Sequence, residues 1–410
     1  MRSLVFTFVS LAFFLNLGAG SCLAQKTKEE KFDVLVYGAT PSGIAAAISA
    51  ARMGMKVALV DESGRLSRES FLPDYQTTFG FIQPLEKEIR SRQPKDALDS
   101  TEFWPQKGLK IVEQMLKEES TLLFFEGWKW DGEKNQIQNQ KPELLHLVRI
   151  RNEKKGIWVS PRIFIDASND GALAKGFGAE FIMPKSQDVG LGKDSTRLAS
   201  KRIRGRFILN TDNLLSPNPV LEETISAIQF IHNQTIVDCC IPFGVLLPTN
   251  IKNLLVPNCV ASSPYPFSIL RQLSNQFTLG HTAGVAAALS IRSKTTPPKL
   301  HIDSLQTHLI HQKVVLVFVS DVLPAHPDFE WVQKMAIQGW IPGSKARLDE
   351  KMNLKDILHI ATRTGFSEKE ITEMAESKTD RRTALYVIWK VYEKEKWRND
   401  PKANPKQLKE

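Results

Sequence analysis

The sequence predicts an α/β fold that begins with a Rossmann-like β-α-β unit, and three stretches near its start support this. Residues 33–38 read DVLVYG, a run of β-branched and aromatic residues that is typical of a buried parallel strand. The alanine-rich stretch PSGIAAAISAARMG predicts a helix that begins at Pro41 and stops at Gly54. Residues 56–62, KVALVDE, predict a second buried strand that ends at Asp61.

The loop between the first strand and the helix is the predicted binding site. The amides from Thr40 to Gly43 open the helix and would point at a pyrophosphate, whose charge the helix dipole favours. Asp61 lies close to the ~20-residue spacing at which such units carry an acid for the ribose. The unit therefore predicts a dinucleotide site, although Thr40 stands where G-x-G-x-x-G has its middle glycine. A Rossmann-like turn without a ligand is the alternative.

The composition fits a globular protein of two or three domains. The chain has 410 residues, of which 42% are hydrophobic and 24% charged, enough for a large core. Its formal net charge is +9, but no block of Lys and Arg with interleaved aromatic residues occurs. We therefore expect no nucleic-acid partner and interpret the basic excess as a solvated surface.

The N-terminal residues predict export. Arg2 precedes an apolar run over residues 4–17, which is the length of a signal-peptide core and short for a membrane span. Small residues follow, so we expect residues 1–24 to be a signal peptide that is cleaved after Ala24. Cleavage before Cys22, as in a lipoprotein, is the alternative. The mature protein is then secreted or periplasmic, with no membrane span.

Cysteine and histidine usage predicts neither a disulfide framework nor a metal site. Cleavage leaves Cys239, Cys240 and Cys259, and three cysteines cannot form a paired framework. The adjacent pair lacks C-x-x-C spacing, so we expect small buried side chains. The histidines show no spacing typical of metal ligands.

Two later stretches decide which dinucleotide is expected. Residues 159–181 contain FIDASNDGALA, and residues 241–291 contain IPFG, NLLVPN and LGHTAGVAAAL. Together with VYGATPSGIAAA, they resemble a family of secreted FAD-dependent oxidoreductases, with members similar to VYGGTPAGIAAA, FIDATGDGDLA and NLLVAGRC…LGQAAGTAAAL. That family commonly has threonine at the middle-glycine position. The resemblance covers most of residues 32–295.

The resemblance implies a fold of the glutathione-reductase kind that holds FAD without a covalent bond. It further implies hydride transfer to the flavin from an unidentified small-molecule or carbohydrate-type substrate, and it names no catalytic residue. A helix starting near Leu279 would offer its first-turn amides to the flavin ring, with Arg271 before it. His281 in that helix is interpreted as packed rather than as a proton donor. The cofactor-binding residues implied are Gly38, Thr40, Pro41, Ser42, Gly43, Asp61, Glu62, Asp166, Asn169, Asp170, Arg271, Gly280, Ala283 and Gly284.

The sequence departs from the resembled family at three places. The stretch after the second strand, residues 63–82, lacks the Gly-Gly pair of the family. Asn169 and Asn258 stand where the family has glycine, and we expect both to adopt positive φ and to narrow the FAD site. The alternative function is therefore a degenerate FAD fold without catalysis, which acts as an extracytoplasmic binding or scaffold protein. Binding of NAD(H) at the same unit is a weaker alternative.

The expected organisation is a discontinuous FAD-binding domain with an inserted β-rich cap and a C-terminal helical module. Residues 321–343 resemble the helix-turn unit of S-layer homology modules. The C-terminal module either covers one side of the FAD domain or contacts cell-wall or surface polymer. The predicted boundaries are 32–185 and 241–295 for the FAD domain, 186–240 for a substrate cap, 296–398 for the helical module and 399–410 for a disordered tail.

Overall fold

The computed structural model describes residues 29–63, 84–92, 108–132, 143–182, 202–216, 221–376 and 380–399. The predicted signal peptide, the stretch in which the Gly-Gly pair is missing and the predicted tail beyond 399 lie outside the described residues. The predicted cap is described only in part.

A mixed seven-stranded sheet forms the centre of the protein. In chain order the described strands are β1 Glu29–Tyr37, β2 Val57–Asp61, β3 Leu122–Glu126, β4 Lys129–Trp130, β5 Val148–Arg151, β6 Gly156–Asp166, β7 Thr224–His232, β8 Thr235–Pro242 and β9 Leu254–Leu255. The spatial order in the central sheet is β3-β2-β1-β6-β5-β4, with β9 paired to β6. The strands β1, β2, β3, β6 and β9 run parallel, whereas β4 and β5 pair antiparallel beside them.

The alternation of side chains along β1 divides the core into two layers. Val34 and Val36 pack on the face that the first helix, α1 (Pro41–Arg52), covers, whereas Leu35 and Tyr37 pack on the opposite face. Both faces of a parallel sheet are buried, which explains why DVLVYG is apolar without interruption. The predicted α/β, Rossmann-like fold is confirmed.

The helices lie around this sheet and in the C-terminal part of the chain. The first helix begins at Pro41 and ends before Gly54, as predicted. The described helices are α1 Pro41–Arg52, α2 Pro84–Ser91, α3 Leu109–Glu118, α4 Ala172–Gly176, α5 Thr211–Leu215, α6 Pro264–Leu270, α7 Leu273–Arg292, α8 Ile302–His311, α9 Phe329–Ile337, α10 Leu354–Thr364, α11 Glu368–Glu376 and α12 Arg381–Asn399.

The long helix α7 packs directly on α1, and two glycines allow the close approach. A Cβ at Gly280 would lie 2.0 Å from the Ser42 carbonyl oxygen, and one at Gly284 would lie 2.3 Å from that of Ala46. Ala283 beside them is fully buried. These three residues are thus helix-packing positions in the interior of α7, which begins at Leu273 rather than near Leu279 as predicted.

A two-stranded hairpin, β7 with β8, stands apart from the central sheet. It packs on the C-terminal segment, since the amide of Ala227 donates to the Val315 carbonyl and Gln306 Nε2 donates to the Thr224 carbonyl. Cys239 and Cys240 on β8 are buried free thiols, as expected from the sequence, and Cys259 is buried as well. Within the described part of the chain, no helix is long and apolar enough to cross a membrane.

Candidate functional site

A cleft of about 290 Å³ opens where β1, β2 and β6 end. Carboxyl ends of parallel strands are the position at which open α/β sheets bind ligands. The first turn of α1 faces the same place, with its positive dipole end. The cleft is lined by Tyr37, Gly38, Ala39, Thr40, Asp61, Glu62, Ser63, Ser168, Asn169, Asp170 and Ala172.

Thr40 explains how the turn forms without the middle glycine. Its Oγ1 accepts a hydrogen bond from the Gly43 amide at 3.2 Å, which caps α1. The same hydroxyl donates to the Ala167 carbonyl at 2.8 Å and lies 3.1 Å from Ser42 Oγ. Thr40 therefore ties α1 to the chain that leaves β6. Within the protein this hydroxyl thus acts as a donor to Ala167 and as an acceptor from Gly43.

Gly43 is required by contact between backbone segments. A Cβ at this position would lie 1.9 Å from the Gly38 carbonyl oxygen and 3.0 Å from the Ala167 side chain. Real side chains do not make such contacts, so any substitution displaces the turn. Pro41 and Ser42 share this first turn of α1 and are buried. The amide of Ser42 has no carbonyl within its own helix to bond, because it lies in the first turn.

The acids at the end of β2 face the cleft. Asp61 Oδ1 accepts from the Ala39 amide at 2.9 Å, and Oδ2 accepts from the Ser63 amide at 3.0 Å. Glu62 is exposed and lies 3.6 Å from Lys129 Nζ. Asp61 thus holds the ends of β1 and β2 together while it lines the cleft, and Glu62 adds a second carboxylate to the lining.

Asp166 lies behind the cleft wall that Ser168, Asn169 and Asp170 form, and it does not face the cleft. It is fully buried, and its carboxylate accepts from the Ser168 amide and hydroxyl and from the Ala174 amide. Burial is the largest cause that raises the pKa of Asp166, to about 6. Asp166 does not line the cleft. Asp166 shapes the turn that Ser168, Asn169 and Asp170 present, and a contact of Asp166 itself with the cofactor stays a prediction.

The two asparagines that replace glycines do not adopt positive φ, so that expectation is wrong. Gly171, at φ 65°, provides the left-handed residue of this turn instead. Asn169 is exposed in the cleft, whereas Asn258 is buried behind it. The Nδ2 of Asn258 donates to Asn169 Oδ1 at 3.2 Å, so the two replacements contact each other.

A second group of polar side chains, most of them buried, lies at the start of α7. The first-turn amides follow Gln272, and Ser274 Oγ is buried with no partner among the described residues. Arg271 precedes this turn, with its guanidinium 5.8 Å from the centre of the Phe267 ring. The predicted flavin-facing turn at Gly280 is therefore about two turns too late, and Arg271 stands next to the true helix start.

Sequence reasoning missed contacts that only the fold creates. His232 Nδ1 and the Tyr265 hydroxyl are 2.7 Å apart, joining β7 to α6. Tyr37, at the end of β1, lines the cleft, and burial raises its pKa to about 12. No motif links His232 with Tyr265, although the position of Tyr37 at a strand end could have indicated a lining role. His281 is packed as expected: its Nδ1 lies 2.7 Å from Ser49 Oγ, and burial lowers its pKa to about 4.

Comparison with known proteins places these features in a family. A family model described as FAD dependent oxidoreductase matches residues 33–212 and 199–309. A geranylgeranyl bacteriochlorophyll reductase-like protein of Thermoplasma acidophilum is similar in structure, with a TM-score of 0.39 and 11% identity over 84% of this chain and 100% of its own. For the anhydrotetracycline hydroxylase of Streptomyces rimosus, the TM-score is 0.35 and the identity 12%, over 76% of this chain and 73% of its own. A search of curated proteins found no match.

Proposed function

Because the chain belongs to the family of FAD-dependent oxidoreductases, whose cofactor is FAD, we propose that the ADP half of FAD binds in the cleft at the ends of β1, β2 and β6. The observation that carries this proposal is the meeting of three strand ends with the first turn of α1 around one cleft. When bound, FAD supplies a ring that accepts a hydride from a substrate C–H bond.

The described residues fit the ADP half. The cleft volume of about 290 Å³ is at the lower limit of ligand pockets, which suits one part of an extended cofactor. The pyrophosphate would lie against the first turn of α1, where the Ser42 amide and the helix dipole favour negative charge. Asp61 and Glu62 are at the rim, in position to accept hydrogen bonds from the ribose hydroxyls.

The start of α7 suits the flavin half. Its first-turn amides carry partial positive charge at the N-terminus of a 20-residue helix. Arg271 adds a full positive charge, and no carboxylate is paired with it among the described residues. Both features would favour negative charge on the pyrimidine side of the ring. We assign this role to the amides of residues 273–275 and to Arg271 in place of the turn at Gly280.

The substrate is proposed to be a small molecule or a carbohydrate-type molecule. The chain would accordingly contribute binding and orientation of this molecule, and the electrons would pass on to a separate acceptor. The alternative of a non-catalytic scaffold predicts a folded protein that does not bind FAD. One binding experiment therefore decides between the two functions.

The test is a titration of refolded mature protein with FAD, ADP and NAD. We expect FAD to bind with quenching of its fluorescence, ADP to compete with it, and NAD to compete poorly. Gly43→Val is the matched control, since a side chain there would clash with the Gly38 carbonyl and should abolish binding. A folded sample that binds no FAD at high micromolar concentration would overturn the proposal and favour the scaffold.

A further inference from the structure

Asn258 holds the wall of the cleft from behind. The residue is 3% exposed, and it lies on the loop after β9. Its Nδ2 donates to the Ser168 carbonyl at 3.0 Å and to Asn169 Oδ1 at 3.2 Å, with the Ala167 carbonyl at 3.4 Å. One buried amide thus contacts three successive residues of the turn that forms this wall.

The front of the same turn faces the cofactor site. Ser168, Asn169 and Asp170 line the cleft, and Asn169 is exposed there. From its other side the turn is held by Thr40, whose hydroxyl donates to the Ala167 carbonyl. Asn258 therefore connects the loop after β9 to the turn at residues 167–169. Thr40, at the start of α1, holds the same turn from the other side.

We propose that Asn258 is a positioning residue, and that Asn258 and Asn169 act as a pair that fixes the wall of the FAD cleft. This inference rests on the proposed function. The resembled family has glycine at both positions, and here the two amides bond to each other. The pair therefore preserves the shape of the site, rather than narrowing it as the sequence suggests. FAD affinity should depend on Asn258 more than on Asn169.

The number of hydrogen bonds that each variant loses determines the expected change in the FAD dissociation constant. Asn258→Gly removes both N–H donors, so the turn loses its support, and we expect the FAD dissociation constant to rise about tenfold. Asn169→Gly removes one acceptor, and the freed N–H can turn to the Ala167 carbonyl at 3.4 Å, so we expect about a twofold change. Because Asn169 acts through Asn258, the double variant should bind like Asn258→Gly alone.

Asn258→Asp distinguishes the effect of the donated hydrogen bonds from the effect of side-chain packing. The aspartate keeps the shape and one oxygen, but it replaces the donor by an acceptor that faces the Ser168 carbonyl and Asn169 Oδ1. It should bind FAD more weakly than Asn258→Gly. Asn258→Ser keeps a hydroxyl donor and should restore part of the affinity that glycine loses.

The experiment measures FAD and ADP affinity for the full mature chain and these five variants by fluorescence quenching and calorimetry, and it also measures the melting of each FAD-free protein. Asn250→Gly is the matched control, because Asn250 Nδ2 also donates to a backbone carbonyl, that of Gly178, away from the cleft. It should leave both affinities unchanged.

Each outcome bears on the inference. Support requires that FAD and ADP weaken together in Asn258→Gly, that serine rescues, and that the double variant shows no further loss. The inference is overturned if a folded Asn258→Gly binds both ligands within twofold of wild type, or if Asn258→Asp binds as well as wild type. If Asn258→Gly does not fold, the order of the serine and aspartate variants decides in the same way. Wild-type protein that binds neither ligand would instead defeat the proposed function itself.

Discussion

Thr40 stands at the middle-glycine position, and its side chain makes hydrogen bonds that a glycine could not make. The Thr40 hydroxyl caps α1 and donates to the carbonyl of Ala167, just beyond β6. The residue is buried, with 5% of its surface exposed. Thr40→Ala should lower the free energy of unfolding by about 1–2 kcal/mol, the usual cost of a lost N-cap. Thr40→Ser keeps the hydroxyl and should stay close to wild type. Urea unfolding of the FAD-free protein measures both, and equal stability of all three would contradict this role.

Asp61 combines structure with ligand binding, and the two contributions can be separated. Asp61→Ala removes an acceptor from a ribose hydroxyl and from the Ala39 amide, so FAD and ADP should bind about 1–3 kcal/mol more weakly. Asp61→Asn keeps a carbonyl oxygen for the Ala39 amide and should lose less affinity. Isothermal titration with ADP gives the difference directly. If Asp61→Ala bound ADP and FAD as tightly as wild type, Asp61 would have no role in binding.

Asp166 predicts an unusual pH dependence. Burial raises its folded pKa to about 6, above the unfolded value of 3.8. The folded state therefore holds the proton more tightly, so this residue's stabilisation is complete below the unfolded pKa and is lost as pH rises through 6. Its contribution to the free energy of unfolding should grow by up to about 3 kcal/mol between pH 7 and pH 4.

Asp166→Asn isolates this contribution from other titrating groups. The asparagine cannot ionise, so the difference in stability between wild type and variant should change across that pH range, in favour of wild type at low pH. Denaturant unfolding at pH 7, 6, 5 and 4 measures it. A difference that stays constant with pH would mean that Asp166 is not perturbed.

At the scale of elements, sequence patterns predicted the helix and strand boundaries that local residues mark. They did not predict boundaries that depend on packing between helices. The unit β1-α1-β2 was predictable because its apolar runs, Pro41 and Gly54 mark each boundary. The start of α7 was not, because Gln272 makes no side-chain cap and nothing in LRQLSNQ marks a helix end. Gly280 and Gly284 suggested a helix start near the cofactor, whereas their small size serves contact with α1.

This packing role gives a prediction with an unexpected sign. In a helix interior, Gly→Ala normally stabilises by about 1 kcal/mol. At Gly280 the new Cβ would lie 2.0 Å from the Ser42 carbonyl oxygen, so α7 and α1 would have to separate. We expect Gly280→Ala to destabilise by about 1–3 kcal/mol instead and to weaken FAD binding by moving Ser42. Thermal unfolding checks the sign, and a stabilised variant would refute the close contact.

At the scale of the whole molecule, the candidate site was partly predictable. Strand ends and a helix start located Gly38, Thr40 and Asp61, because open α/β sheets bind ligands there. The contact between Asn258 and Asn169 was hidden, since it joins segments 89 residues apart in sequence. Helix α8 likewise meets the β7–β8 hairpin through contacts such as that of Gln306 with Thr224, which no local pattern encodes.

Export is the last property that concerns the whole chain. The predicted cleavage after Ala24 precedes β1, which begins at Glu29, so removal of the leader leaves every described strand intact. It also removes Cys22 and leaves three cysteines, all buried as free thiols.

We therefore expect the full chain, expressed in a bacterial host, to appear outside the cytoplasm with Gln25 as its first residue. A version that starts at Met followed by Gln25 is the matched control. It should remain in the cytoplasm and melt at the same temperature, because every described strand and helix begins at Glu29 or later. N-terminal sequencing and fractionation measure this. Mature protein that retains residues 4–17, or a leaderless version that fails to fold, would show that the apolar segment belongs to the structure.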